Sequence, residues 1–214
     1  MKRQLSSEQQ LKKHRKRVRK FFQKAAYFYD FFVEPFLGKR VGQGVDLLGE
    51  IKNCQVLDVC TGTGILAREI WRRGALVTAV DITPNMLKKA RQKVQEGIDW
   101  RLMDASCLEF PDDYFDHSCI SMALHEMPDL LGKQVLQEMK RVTKEQILVI
   151  DYAAPPPTLL SRLGIALVEK WEGSYYQDFL REGLPGLLVG TGLWIKESQR
   201  DQYLGFYLLG RIED

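Results

Sequence analysis

The chain has 214 residues, 45% hydrophobic and 28% charged, with a net charge of +3, which reads as one globular domain with an appendage, able to bury roughly 70% of its unfolded surface. No apolar run reaches the ~20 residues that span a bilayer, no secretory signal is visible, and Cys54, Cys60, Cys107 and Cys119 form neither a CxxC nor a zinc spacing, so a cytoplasmic protein with reduced thiols and no metal is expected. The charge is uneven: ten Lys and Arg against the single Glu8 place +9 on residues 1–24, which leaves −6 for residues 25–214.

Residues 1–24 read as a polar, basic helical arm. An aromatic stretch from Phe21 to Leu37 follows, and some of its rings must be buried. Residues 1–40 are thus expected to form an arm and lid, and residues 41–214 the main domain. A short helix over Val45–Gly49 precedes the core. Strands and helices then alternate. Gln55–Val59 is a strand, Ile65–Arg73 a helix closed at Gly74, and Leu76–Val80 a second strand. Thr83 as N-cap and Pro84 at the first helical position start a helix that runs to about Glu96. Asp99–Met103 and Phe115–Met122 are the third and fourth strands. Leu131, Val135, Met139 and Val142 share one face of a helix over Leu130–Val142, and Gln146–Asp151 is the fifth strand. Helices are predicted at about 158–170 and 175–189, after the Ala153-Ala154-Pro155-Pro156-Pro157 break. Leu193–Gln199 and Tyr203–Arg211 are joined so tightly that they must be antiparallel. The alternation predicts an α/β fold: a doubly wound, mostly parallel sheet, helices on both faces, and a terminal antiparallel hairpin.

Chemistry concentrates in Val56-Leu57-Asp58-Val59-Cys60-Thr61-Gly62-Thr63-Gly64: a strand, an acid at its carboxyl end, a tight loop of small residues, then a helix. Gly62 and Gly64 allow backbone conformations and a close ligand approach that side chains forbid. In an open parallel sheet ligands sit beyond these strand ends. Gly62-x-Gly64-x-x-Ala67, with Asp81 further on, also satisfies the dinucleotide fingerprint. Charge separates the two readings. A pyrophosphate belongs at a helix N-terminus, and Asp58 beside the loop would repel it. S-adenosylmethionine has no phosphate and carries an ammonium and a sulfonium, so Asp58 favours the methyl donor. Asp81 closes the second strand, where a carboxylate can accept from both ribose hydroxyls. Ile82 and Met86 follow and could flank an adenine. Asp104 follows the third strand and could accept from the adenine amino group, with the Ala105 amide donating to the ring. Any one such acid is commonly a turn residue. Three at successive strand ends, with a glycine loop at the first, make a joint signal.

Over about residues 53–151 the chain resembles the class I S-adenosylmethionine-dependent methyltransferases. The resemblance implies a seven-stranded sheet of order 3-2-1-4-5-7-6, whose seventh strand is antiparallel. That family's loop usually has three glycines; Cys60 stands at the first. Within the family, Ala26-Tyr27-Phe28-Tyr29-Asp30 and Phe110-Pro111-Asp112-Asp113-Tyr114-Phe115-Asp116 resemble the ubiquinone/menaquinone-biosynthesis C-methyltransferase group. The resemblance puts Tyr29 in a lid over the methionine end, with Cys60, Thr61, Gly62 and Gly64 forming the cofactor loop and Met122 close to the transferred methyl.

It also implies a small, lipophilic or quinone-like acceptor. A weakly acidic acceptor needs a base, and Ser121-Met122-Ala123-Leu124-His125-Glu126 follows strand four. His125 is the first candidate for base or acceptor-positioning group, with Tyr152 and Asp151 after strand five as lesser ones; a lone histidine is more often structural. In the quinone-pathway group an arginine and an asparagine usually stand where this chain has His125-Glu126. The Asn/Asp-Pro-Pro-aromatic run of amino-methyltransferases is missing after strand four. The basic arm reads first as a solvated helix, next as a peripheral contact with an anionic membrane through residues 1–24, and last as an RNA-binding element. An RNA methyltransferase and a catalytically idle cofactor-binding scaffold are the rival functions.

Overall fold

A computed structural model describes residues 8, 11–22, 34, 37–155 and 175–212. Tyr29, most of the aromatic stretch and the helix expected at 158–170 lie outside the described residues. The elements, in chain order, are helix α1 (residues 11–22), α2 (Val41–Asp46), β1 (Gln55–Val59), α3 (Ile65–Arg72), β2 (Leu76–Asp81), α4 (Pro84–Lys93), β3 (Ile98–Leu102), β4 (Phe115–Ser121), a 3-10 turn (Leu124–Glu126), α5 (Asp129–Val142), β5 (Thr143–Tyr152), α6 (Tyr175–Leu188), β6 (Leu193–Asp201) and β7 (Leu204–Arg211).

The seven strands form one sheet in the order β3-β2-β1-β4-β5-β7-β6. Every neighbouring pair is parallel except β5 with β7 and β6 with β7. The expected order and the terminal hairpin are both present. Side chains alternate across each strand, and the core divides accordingly. Leu57, Val59, Ile120 and Val149 pack with α5 and α6 on one face. Val56, Ala79, Cys119, Leu148 and Ile150 pack with α2, α3 and α4 on the other. Central strands covered on both sides read as apolar runs, which is why β1 has the predicted bounds.

Most boundaries shift by a residue or two, and four differences have a clear physical reason. The first short helix is Val41–Asp46, not Val45–Gly49, because Val41, Gly44 and Val45 form its buried face. A Cβ on Gly44 would lie 2.6 Å from Ile150 Cδ1, so this helix rests on β5 through a residue without a side chain. Helix α4 stops at Lys93, three residues early. Val94 is extended there, and its carbonyl accepts from Trp100 Nε1 at 3.3 Å. Strand β5 begins at Thr143, directly after α5, because Thr143 is buried, pairs with Phe115 and bonds Ser118 Oγ at 2.7 Å. The last helix breaks at Gly183, where φ is +65°, so α6 is two short helices joined at a kink.

Helix α1 is not solvated all round. Leu11 and His14 are buried, and Arg15, Val18, Phe21 and Phe22 are half-buried. A helix exposing only basic residues still has an inner face at 3.6-residue spacing, and that face is covered here.

Candidate functional site

The parallel strands β1, β2, β3 and β4 end on one edge of the sheet, and a cavity opens there. With the open space at its mouth included, it spans about 1010 Å³. Cys60, Thr61 and Gly62 of the first loop line it, as do Asp81 at the end of β2, Ile82 and Met86 after it, and Asp104 and Ala105 beyond β3. Met122 lines it beyond β4. Nine of the expected cofactor residues therefore share one wall system.

The loop is held by the acids beneath and beside it. Asp81 accepts from the Gly62 amide at 2.9 Å through Oδ2 and from the Thr83 amide at 2.7 Å through Oδ1. The second-strand acid thus ties the first loop to the start of α4. Burial raises its carboxyl pKa, against these donors. Cys60 sits at φ +55°, a left-handed conformation that usually selects glycine. Gly64, at φ +78°, precedes α3, and a Cβ there would lie 2.5 Å from Trp100 Cη2. Gly64 therefore serves packing rather than the cavity wall. Gly62, at φ +57°, has open space where a Cβ would stand.

Asp58 is not on the wall. It is fully buried beneath the loop, where Thr61 Oγ1 donates to its Oδ2 at 2.5 Å. Burial pushes the carboxyl up to about 7; the Thr61 hydroxyl and Ala67 amide oppose the rise, and the Asp81 charge adds to it. From sequence Asp58 is expected as a fixed charge beside the ligand. The structure makes it a loop anchor that titrates near neutrality.

Asp104 is already engaged. Its Oδ1 accepts from the Ser106 amide at 3.0 Å and hydroxyl at 2.8 Å, and Oδ2 pairs with Arg15 Nε at 3.1 Å. Arg15 Nη2 also donates to Ser106 Oγ at 2.5 Å. Helix α1 supplies His14, Arg15, Val18 and Phe22 to the cavity wall. His14 stacks edge-on to Tyr175 at 5.2 Å, and burial, with Arg17 and Arg15 nearby, lowers its pKa to about 4. These wall residues were missed from sequence, although Leu11, His14, Arg15, Val18 and Phe22 recur at helical spacing.

Beyond β4 the arrangement is different. His125 is buried, and its Nδ1 lies 2.6 Å from Asp151 Oδ1. Asp151 also accepts from the Leu124 amide at 3.0 Å and the Tyr152 amide at 2.8 Å. A carboxylate only accepts, so Nδ1 donates to Asp151 and Nε2 is the ring nitrogen left toward Glu126. Tyr152, Tyr176 and Phe179 surround the imidazole edge-on, with centroids at 4.8, 5.9 and 6.5 Å. Burial, reinforced by Tyr176 and Asp151, raises the Tyr152 phenol well above its ordinary range. Neither His125 nor Tyr152 lines the cavity; Glu126 does, with Oε1 3.7 Å from His125 Nε2. The motif after strand four is legible from sequence, but the residue in it that reaches the wall is the neighbour of the one expected. Among the described residues no cluster could hold a metal ion.

A methyltransferase-domain family model matches residues 56–146. The demethylmenaquinone methyltransferase of Tropheryma whipplei is 30% identical over 185 residues, covering 82% of this chain and 70% of that protein. The chain belongs to the class I S-adenosylmethionine-dependent methyltransferases. The demethylmenaquinone methyltransferase of Listeria monocytogenes is 40% identical over 114 residues, 49% of this chain and 47% of that one. Magnesium protoporphyrin IX methyltransferase from Synechocystis, solved with bound S-adenosylhomocysteine, shares the fold at a TM-score of 0.68 and 19% identity. That match covers 92% of this chain and 99% of that one.

The donor set fits the methyltransferase cofactor. Among the described residues, three carboxylates, Asp81, Asp104 and Glu126, face the cavity against the single guanidinium of Arg15. An excess of acid suits a ligand carrying an ammonium and a sulfonium and opposes a pyrophosphate. The open space above Gly62 leaves room for close approach to the backbone. S-adenosylmethionine, when bound, supplies a methyl already activated on a cationic sulfur. The methyltransferase's own residues are left to bind, orient and exclude water.

Proposed function

We propose that this methyltransferase acts on a small, lipophilic acceptor of the quinol or phenol kind. The observation that carries the reading is the chemical split of the cavity wall. Acids crowd the side made by β2 and β3. The side beyond β4 is mostly apolar, made by Met122, Ala123, Met127, Leu131 and Val135, with Ser121 and Glu126 as its polar groups. An acceptor held against that apolar surface would lose binding with every polar group it buried unpaired. The names of the Tropheryma and Listeria relatives, demethylmenaquinone methyltransferases, support the same class of acceptor.

In this reading Asp81 orients the cofactor loop, while Ile82 and Met86 flank the adenine. Glu126 is the group that meets the acceptor. His125 is a positioning residue: Asp151 fixes its tautomer, and Nε2 faces the Glu126 carboxylate across 3.7 Å. A proton leaving a quinol hydroxyl has Glu126 as its first acceptor and His125 behind it.

The test is methyl transfer from labelled S-adenosylmethionine to a panel of naphthoquinols, phenols, adenosine, glutamine peptides and unmodified RNA. Methylation of a naphthoquinol or phenol is the expected result. Turnover confined to RNA or to peptide amides refutes the reading. Glu126→Gln should lower kcat about a hundredfold with S-adenosylhomocysteine affinity changed less than the rate, the scale of lost general-base catalysis.

A further inference from the structure

Helix α1 has two faces, and only the inner one belongs to the cavity. Every exposed residue between 11 and 22 is basic: Lys12, Lys13, Lys16, Arg17, Arg19 and Lys20. At 100° per residue these six cover an arc of about 160°. Among the described residues, only Lys12 of the six has an acidic partner, Glu8 at 2.8 Å. Residues 25–214 carry −6, so the positive charge of this protein is concentrated on one helix.

We propose that the outer face of α1 docks on an anionic lipid bilayer. Charge complementarity is the basis. Lipid headgroups present a continuous negative plane, and basic residues near it act together. The negative body is repelled by that plane, which orients the molecule with α1 toward it. The apolar face of α1 already covers the cavity, so docking is electrostatic and superficial rather than insertion of an amphipathic helix. Single-stranded RNA is the weaker match. Its binders pair basic residues with exposed aromatic platforms, whereas Phe22 lines the cavity and Phe21 is half-buried edge-on against it. Docking through this helix brings the cavity within a helix diameter, about 10 Å, of the lipid surface. A lipophilic acceptor would then have a short path in. That consequence rests on the proposed acceptor class, but the docking itself does not.

The experiment is flotation of the full chain with phosphatidylcholine vesicles, with and without about one-third phosphatidylglycerol. It needs neither cofactor nor acceptor, so its outcome is separate from the acceptor assay. Binding is expected only to the anionic vesicles and should disappear in high salt. The outer-face variant K16Q/R19Q/K20Q should lower partitioning about a hundredfold, at about fivefold per basic residue. Its Tm and its affinity for S-adenosylhomocysteine should match the parent's. Equal binding to neutral vesicles, an unchanged partition in the triple variant, or salt-sensitive binding to a single-stranded RNA with none to vesicles would each overturn the proposal.

Discussion

Replacing Asp58 by asparagine should separate the stability of this methyltransferase from its pH dependence. Asp58 is fully buried, and its carboxyl is pushed from an ordinary 3.8 up to about 7. Between those values the unfolded chain has lost the proton and the folded chain still holds it, so stability falls as pH rises from about 4 to about 7. At 1.36 kcal/mol per pH unit the full loss is about 4 kcal/mol. Between pH 5 and pH 8 the share is about 2–3 kcal/mol. The asparagine amide would keep an oxygen to accept from the Thr61 hydroxyl and has no charge to bury. Urea unfolding of parent and Asp58→Asn at pH 5 and pH 8, without ligand, reads the difference directly. The parent should lose about 2–3 kcal/mol more than the variant over that interval. Identical slopes would refute the claim that Asp58 ionises at the expense of the fold. Calorimetry on the same two proteins should show the variant binding S-adenosylmethionine more weakly at pH 8, since a cationic ligand gains from the charge beneath the loop.

Asp81→Asn places an amide hydrogen against one of the amides that Asp81 now accepts, those of Gly62 and Thr83; S-adenosylhomocysteine affinity should fall at least about tenfold by calorimetry, the cost of one buried unpaired donor. Gly64→Ala forces a Cβ 2.5 Å from Trp100 Cη2 at φ +78°. Strain and overpacking together should cost about 3 kcal/mol, a Tm lowered by about 6–12 °C in a thermal melt. His125→Gln leaves Asp151 a neutral donor but removes the imidazole. If His125 acts through Glu126, kcat should fall at least about tenfold while KM for the acceptor stays within about twofold; an unchanged kcat removes it from the mechanism.

How far the residues alone speak depends on the distance over which their interactions act. The β1 run Gln55–Val59, the Thr83-Pro84 helix start and the hairpin Leu193–Arg211 are local patterns, and local physics decides them: hydrophobic periodicity, a fixed proline φ, a connection too short for a crossover. The cavity wall was legible for a related reason. In a parallel sheet every strand end falls on one edge, so Asp81, Asp104 and Met122 needed only their places in the strand order to be brought together. The sequence could not tell which acid faces the cavity and which is buried. Asp58 and Asp81 look alike at their strand ends, yet one is sealed beneath Thr61 and titrates near 7 while the other lines the wall. Nor could it tell that Glu126 rather than His125 reaches the cavity, because two adjacent residues of a 3-10 turn point in different directions and only Asp151, 26 residues on, fixes the ring. Helix α1 is the clearest division between the two kinds of knowledge. Its charge and period were written in the chain; that its inner face closes the cavity, and so leaves an entirely basic face outward, was decided by packing across more than eighty residues of sequence, where Arg15 meets Asp104 and Ser106.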